Sequence, residues 1–369
     1  MRVRGKVVTA DGVVAGEVVV DGWRIVAVAG TPADAEATGD WIVPGFVDIH
    51  VHGGGGASYT TGDPEAARRA AGFHLSHGTT STLASFVTAP PEQLLAATAA
   101  LAPLVTEGVL AGLHYEGPYL SQARCGAQNP AYLRPPSIEE LTRLVDAGAG
   151  AVRMVTVAPE LPGAVEAIRW LVARGVVVAI GHTDATYPQA LEGVAAGATV
   201  GTHLFNGMRP PHHREPGPVY ALLSSPKVVC EFIADGVHLH DGTLRFAAGA
   251  AGAGRAALIT DAIDATGMPD GAYELGGQAV TVSDGVARLT EGGSIAGSTL
   301  TMDAALRRAV GAGISLADAV AMASTTPAQA LGLTDRGQIA TGMRADLVVL
   351  DESLRVIRVM RAGEWVAGA

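Results

Sequence analysis

The chain has 369 residues, of which 48% are hydrophobic and 17% charged; it can bury a large core and is not a disordered polypeptide. A formal net charge of −11 argues against nucleic acid or an anionic membrane surface as the main partner. Aromatic residues make up only 5%, so the core must be built from Ala, Val, Leu and Ile, which suits helices packed closely on a parallel sheet.

In chain order, the first forty residues read as short strands: Val7-Val8-Thr9, then Glu17–Asp21, then Ile25–Val28, with Asp11-Gly12 and Asp21-Gly22 as turn signals between them. The last thirty residues read alike, with runs at Leu347–Asp351 and Val356–Val359 and a turn at Ala362-Gly363. Neither end has enough strands for a domain, so residues 1–43 and 342–369 are expected to pair into one small β-sandwich. Two separate hairpins against the main domain are the alternative.

Residues 44–341 repeat strand, loop and helix. Apolar runs read as buried parallel strands at Ile42–Asp48, Thr80–Val87, Leu110–Glu116, Val152–Ala158, Val176–Gly181, Ala198–Leu204, Val228–Ala234 and Ala256–Thr260. Helical segments rich in Ala, Glu and Leu lie between them, such as Pro64–Ser76 and Pro91–Leu104. Eight strands with eight crossovers is the count for an α/β fold of the (β/α)8 barrel type, although periodicity alone also allows an open doubly wound sheet. A hairpin insert is expected near 270–292, with strands Tyr273–Val282 and Val286–Thr290.

The polar residues fall on successive strand ends. His50 and His52 follow the first strand, Glu116 ends the third, His182 the fifth and His203 the sixth. His238 follows the seventh and Asp261 ends the eighth. In a barrel these positions converge on one mouth. Imidazole and carboxylate donors suit a divalent transition metal, and strand residues two apart point the same way, so His50 and His52 can face one centre. His114 shares a face with Glu116, and Asp261 can both touch a metal and act as a base. A lone histidine after a strand is ordinarily a satisfied polar group; it is the set that carries the argument. His74 and His77 read as structural. His212 and His213, in a Pro-rich loop, read as contacts to solvent, substrate or a partner subunit.

Cys125 and Cys230 are far apart and lack CxxC spacing, which predicts neither a disulfide framework nor a zinc knuckle; Cys230 reads as core. Met1–Gly5 leads into no long apolar run, and no apolar stretch reaches ~18 residues, so a soluble cytoplasmic protein is expected.

The segment Pro44-Gly45-Phe46-Val47-Asp48-Ile49-His50-Val51-His52-Gly53 resembles the start of an amidohydrolase-superfamily barrel, and Gly337–Asp351 resembles that superfamily's return into its β-sandwich. Leu113-His114-Tyr115-Glu116-Gly117-Pro118-Tyr119-Leu120, Gly181-His182-Thr183-Asp184-Ala185 and Thr202-His203-Leu204-Phe205-Asn206-Gly207-Met208, followed by Arg214-Glu215-Pro216-Gly217, are similar to narrower motifs of the N-acetylglucosamine-6-phosphate deacetylase family. Asp235-Gly236-Val237-His238 and Thr260-Asp261-Ala262 complete a match that is collinear over essentially the whole chain.

The resemblance implies hydrolysis of an acetamide on an amino sugar phosphate by a homodimer. It also implies one or two divalent ions, zinc first, with iron, manganese or cobalt as alternatives. Glu116, His182 and His203 would hold the main ion. His50 and His52 would permit a second, with Asp261 nearby. Asp261 would act as general base and then acid, and His238 would polarise the acetyl carbonyl. Asn206, the backbone at Gly207, and Arg214 would bind the sugar phosphate. The family often carries a Lys-Gly-x-His-type stretch whose histidine reaches a neighbouring subunit's phosphate site; here Arg124-Cys125-Gly126-Ala127-Gln128-Asn129 stands in its place. Gln128 can hydrogen-bond a phosphate but brings no charge, for which Arg124 is the candidate compensation. Cys125 reads either as incidental or as part of loop closure. A cyclic amidase or deaminase of the same superfamily is the competing enzyme reading, but those often use a fourth-strand lysine, which Val152–Ala158 lacks. A non-catalytic sugar-phosphate binder is the third reading.

Overall fold

The computed structural model describes residues 1–32 and 39–366. Eight parallel strands form the barrel: β1 (Phe46–Asp48), β2 (Thr79–Val87), β3 (Gly112–Glu116), β4 (Val152–Val157), β5 (Val177–Ile180), β6 (Val200–Gly201), β7 (Val229–Ile233) and β8 (Ala256–Ile259). They lie side by side in chain order. One helix follows each strand: α1 (Pro64–Ser76), α2 (Pro91–Thr106), α3 (Ile138–Ala147), α4 (Ala164–Val172), α5 (Tyr187–Ala195), α6 (Gly217–Ser224), α7 (Asp241–Ala251) and α8 (Met302–Gly311). The barrel reading therefore holds, and the open sheet does not.

The sequence makes these elements for local reasons. All nine residues of β2 are buried, as a strand covered on both faces requires. Helix α1 starts at Pro64 behind the Asp63 cap and buries Ala66, Ala67, Ala70 and Ala71, so the helix can approach the sheet closely. Helix α5 opens on a capping box between Thr186 and Gln189.

The barrel's outermost strands are joined differently from the rest. Among the described residues β1 and β8 share no ladder. The seam is closed by Thr260, whose hydroxyl donates to Asp48 Oδ2 at 2.5 Å, and by three backbone bonds just beyond the strand ends. These are Asp261 N–H to His50 O (2.9 Å), and His52 N–H (2.8 Å) and Gly53 N–H (3.0 Å) to Ala262 O.

The termini do pair, in one continuous seven-stranded sheet. Its order is Glu364–Trp365, Val356–Arg361, Leu347–Leu350, Trp41–Pro44, Arg2–Thr9, Gly12–Asp21, Arg24–Pro32. This sheet has its own core, including Val7, Val18, Ile25, Ile42, Leu347 and Met360. Two separate hairpins are thereby excluded.

Three expected strands are cut differently. Ile42–Asp48 divides at Gly45, with Trp41–Pro44 in the terminal sheet and Phe46–Asp48 in the barrel. A Cβ at Gly45 would lie 2.2 Å from Thr80 Oγ1, so only glycine allows this crossing. The sixth strand, expected over Ala198–Leu204, keeps only Val200–Gly201 in the ladder, because the backbone turns left-handed at His203 and Phe205. The insert is three strands, Gly271–Leu275, Gln278–Ser283 and Val286–Leu289. Its first expected strand folds back at Gly276-Gly277, both at positive φ. Among the described residues no helix is long and apolar enough to cross a membrane.

Candidate active site

The mouth of the barrel opens on a cavity of about 260 Å³. Its walls include His52, Glu116, His182, His203, His238 and Asp261, closed on one side by Leu275 and Ile295 of the insert region. Glu116 is the centre of the arrangement. Its Oε1 lies 2.9 Å from His182 Nε2, 2.8 Å from His203 Nε2 and 3.3 Å from His50 Nε2. Its Oε2 lies 3.1 Å from His52 Nε2, which is also 3.1 Å from Asp261 Oδ1.

Backbone conformation aims several of these groups. His182, His203 and Asp261 have φ of 45°, 23° and 51°. Such left-handed conformations are uncommon for residues with a Cβ and cluster where function over-determines them. Each of the three lies just past the end of its strand, where the turn swings the side chain into the mouth.

The far ring nitrogens are held as well. His52 Nδ1 lies 3.0 Å from the Ser85 carbonyl, His182 Nδ1 2.9 Å from the Arg124 carbonyl, and His50 Nδ1 3.1 Å from Glu231 Oε2. These oxygens only accept, so each Nδ1 carries the hydrogen, and in a neutral ring Nε2 presents a lone pair to the centre. Imidazole lone pairs facing carboxylate oxygens need a proton or a metal ion between them. The residues fit a divalent ion on that ground, with the His50, His52 and His182 rings oriented from behind as metal-ligating histidines are, while His203 Nδ1 has no partner among the described residues. The donors form two groups that share Glu116: His50, His52, Glu116 and Asp261, and Glu116, His182 and His203.

Electrostatics point the same way. Burial opposes charge on His50, yet Glu116 and Glu231 outweigh it and raise its pKa well above the ordinary value. Burial likewise opposes charge on His52, but its hydrogen bonds to Asp261 and Glu116 bring it to about 9. Burial would raise Glu116, but the surrounding histidines hold it well below the carboxylate range. The pocket is built to keep positive charge.

Around this centre, Asp235 Oδ2 accepts from His238 Nδ1 at 2.7 Å, which fixes the ring against the cavity wall. His114 is a core residue between Ser85 Oγ and Thr156 Oγ1, both at 2.9 Å, and burial pushes its pKa well below the ordinary value. Gly207, at φ 57°, brings its backbone against His182, and a Cβ there would stand 2.7 Å from Nδ1.

The pattern of the amidohydrolase family matches residues 41–366. The chain belongs to the amidohydrolase family. Within that family it is similar to an N-acetyl-D-glucosamine-6-phosphate deacetylase of Mycobacterium smegmatis, solved as an aspartate-to-alanine mutant in complex with N-acetyl-D-glucosamine-6-phosphate. The TM-score is 0.95 and the identity 46%, covering 99% of this chain and 98% of that one. The N-acetylglucosamine-6-phosphate deacetylase of Lysinibacillus sphaericus is 39% identical, over 89% of this chain and 86% of its own. An N-acetylgalactosamine-6-phosphate deacetylase of Escherichia coli O157:H7 is 38% identical, over 97% of this chain and 92% of its own.

Against this amidohydrolase frame, the expected residues fall into three groups. His50, His52, Glu116, His182, His203 and Asp261 meet at one centre. His238, Asn206 and Gly207 line the same cavity, with the Asn206 amide donating to the His203 and Leu204 carbonyls at 3.2 Å. Gln128 and Arg214 are placed otherwise. Gln128 also reaches the cavity, but its Nε2 donates to Glu116 Oε2 at 2.6 Å and its Oε1 accepts from Thr88 N–H at 2.7 Å, so the amide is spent on the centre and is not held out for a phosphate. Arg214 is exposed on the loop after β6, with its guanidinium 2.8 Å from His213 Nε2. The Arg124 guanidinium is bound by Asp184 at 2.8 Å, an anion it shares with Arg209. Cys125 is half-buried in the same loop, while burial pushes the Cys230 thiol up to about 12.

Sequence reasoning missed Glu231 and Ser85. Glu231, on β7, was hidden in an apolar run; the signal was a carboxylate at an inward position beside Phe232 and Cys230. Ser85 acts on His52 through its backbone carbonyl, which no side-chain pattern reveals.

Proposed function

We propose that this chain hydrolyses N-acetyl-D-glucosamine-6-phosphate to D-glucosamine-6-phosphate and acetate in a metal-dependent reaction. The observation that carries the reading is the buried carboxylate–imidazole centre with Asp261 and His238 on one cavity wall, in a chain whose relatives over most of its length are sugar-phosphate deacetylases. Glu116, His182 and His203 would hold one ion, and His50, His52 and Asp261 with Glu116 would hold a second. Zinc suits this nitrogen- and oxygen-rich set, with iron, manganese and cobalt the other candidates. When bound, a divalent ion supplies Lewis acidity and makes water acidic enough to attack at neutral pH.

The chain's own groups do the rest. Asp261 takes the proton of the attacking water as the new C–O bond forms at the acetyl carbon. It returns that proton to nitrogen as the C–N bond breaks, because an amide anion is a very poor leaving group. With its Nδ1–H held by Asp235, His238 faces the acetyl oxygen through Nε2 and, carrying a hydrogen on both ring nitrogens, donates there as negative charge gathers. Asn206 and the Gly207 backbone orient the sugar. Arg214 binds the phosphate: it sits on the loop that supplies Asn206 and Gly207, and among the described residues no carboxylate pairs with it. A homodimer, in which a partner meets the exposed 211–215 loop, completes the reading, and light scattering at twice the chain mass checks it.

The test is acetate release by purified, metal-analysed protein from N-acetylglucosamine-6-phosphate, the galacto epimer, the unphosphorylated sugar and a chelated control. Release that requires phosphate and metal supports the reading. Faster release from the galacto epimer would move the substrate to the chemistry named for the Escherichia coli relative. No release from any of them with metal-replete protein would overturn it.

A further inference from the structure

We propose that Glu231 is a positioning residue for the first-strand end of the centre, holding His50 as an ion ligand by accepting its Nδ1–H. The inference rests on the metal-dependent reading above and deepens it. Glu231 is fully buried on β7, 181 residues from His50 in sequence. Its Oε2 receives His50 Nδ1 at 3.1 Å and the backbone N–H of His203 at 3.2 Å. Its Oε1 has no hydrogen-bond partner among the described residues.

A carboxylate in a barrel interior is costly unless positive charge lies near, and an apolar residue would pack there at less expense. What the carboxylate does is specific. It accepts only, so the proton stays on Nδ1 and the lone pair of a neutral ring on Nε2. That Nε2 has no hydrogen-bond partner of its own and looks at Glu116 Oε1, 3.3 Å away, and Asp261 Oδ1, 3.6 Å away. The negative charge behind the ring makes it a stronger donor toward a cation in front, the arrangement by which carboxylates tune metal-ligating histidines. The same oxygen accepts from the His203 backbone N–H, but that turn is also held by Leu204 N–H to the Glu231 backbone carbonyl at 2.9 Å, which survives a change of side chain, so the effect of Glu231 on the ligands runs through His50.

The experiment is zinc titration of chelator-treated protein by calorimetry with a competing chelator. It compares wild type with Glu231→Gln, Glu231→Leu, His50→Asn and the Glu231→Leu/His50→Asn double variant. Glutamine keeps an acceptor for Nδ1–H without the charge, whereas leucine removes both. One equivalent should weaken about 10-fold in Glu231→Gln and about 100-fold in Glu231→Leu, the other staying near wild type. In the His50→Asn background, Glu231→Leu should add almost nothing, because Glu231 acts through that ring. Circular dichroism of the metal-free proteins reads folding separately. Should Glu231→Leu fail to fold, the glutamine variant runs the same cycle. Unchanged affinities in the Glu231 variants would overturn the inference, and so would a Glu231 cost that persists without His50. If wild type takes up a single equivalent, the two-ion reading fails, while the same cycle still decides Glu231. If wild type takes up none, both fall.

Discussion

Asp261 concentrates several demands in one side chain. Its Oδ1 meets His52 Nε2 at 3.1 Å; burial alone would raise its carboxyl, but the His52 hydrogen bond and the nearby imidazoles hold it low. It is therefore a carboxylate at neutral pH and ready to accept a proton. Replacing it with asparagine keeps an oxygen donor but cannot shuttle the proton. The expected result is a fall in kcat of about 10²–10⁴-fold with zinc still bound at Glu116, His182 and His203, checked by kinetics alongside metal analysis. Arg214 makes the opposite kind of contribution. Arg214→Ala should raise KM for the phosphorylated sugar and leave the unphosphorylated analogue nearly unaffected, because it removes charge-assisted bonds to phosphate and nothing at the acetamide. An equal loss on both substrates would take Arg214 out of the phosphate site.

At the scale of the element, α1 shows how a helix far from the chemistry is tied to it. His74, buried on its inner face, donates from Nε2 to the Gly53 carbonyl at 2.8 Å, and Gly53 directly follows His52. Burial lowers the His74 pKa from 6.5 to about 4. Between those values the unfolded chain binds the proton more readily than the folded one, so stability is full above pH 6.5 and falls as pH drops toward 4. The slope from this group approaches about 1.4 kcal/mol per pH unit inside that window. Denaturant unfolding across pH 4–7 should show this fall, and His74→Gln should flatten it. Reading His74 as structural from its helix spacing agrees with its place here.

Strands, strand ends and the polar residues that gather at the mouth were legible because burial on both faces writes long apolar runs, and the polar residue that ends each run stands out. The short sixth strand was not, since its apolar run continues into a left-handed turn that no hydrophobicity pattern marks. Nor was the division at Gly45, which depends on a close approach to Thr80 from another strand. Gln128 and Glu231 mislead or hide for a similar reason. Gln128 turns back on Glu116, 12 residues before it, and Glu231 meets His50, 181 residues away, so only three-dimensional proximity gives those side chains their task.

For the whole molecule, ion binding is also folding energy. A centre with several buried carboxylates and imidazoles should make the melting temperature depend on metal. Chelation should lower it, by an amount that follows the logarithm of free metal over its dissociation constant, about 2.7 kcal/mol at a hundredfold excess. Differential scanning calorimetry against buffered zinc checks this.

The seam between β1 and β8 gives that dependence an address. Every other junction of the barrel is a strand ladder, while this one rests on the Asp48–Thr260 contact and three backbone bonds beside His50, His52 and Asp261. An ion gripped from both sides of the gap is then a rivet in a hoop, supplying the hoop tension that a ladder supplies elsewhere. Without it the hoop should open first along this line, and amide hydrogens at His52 and Asp261 should exchange well before those of β2 to β4.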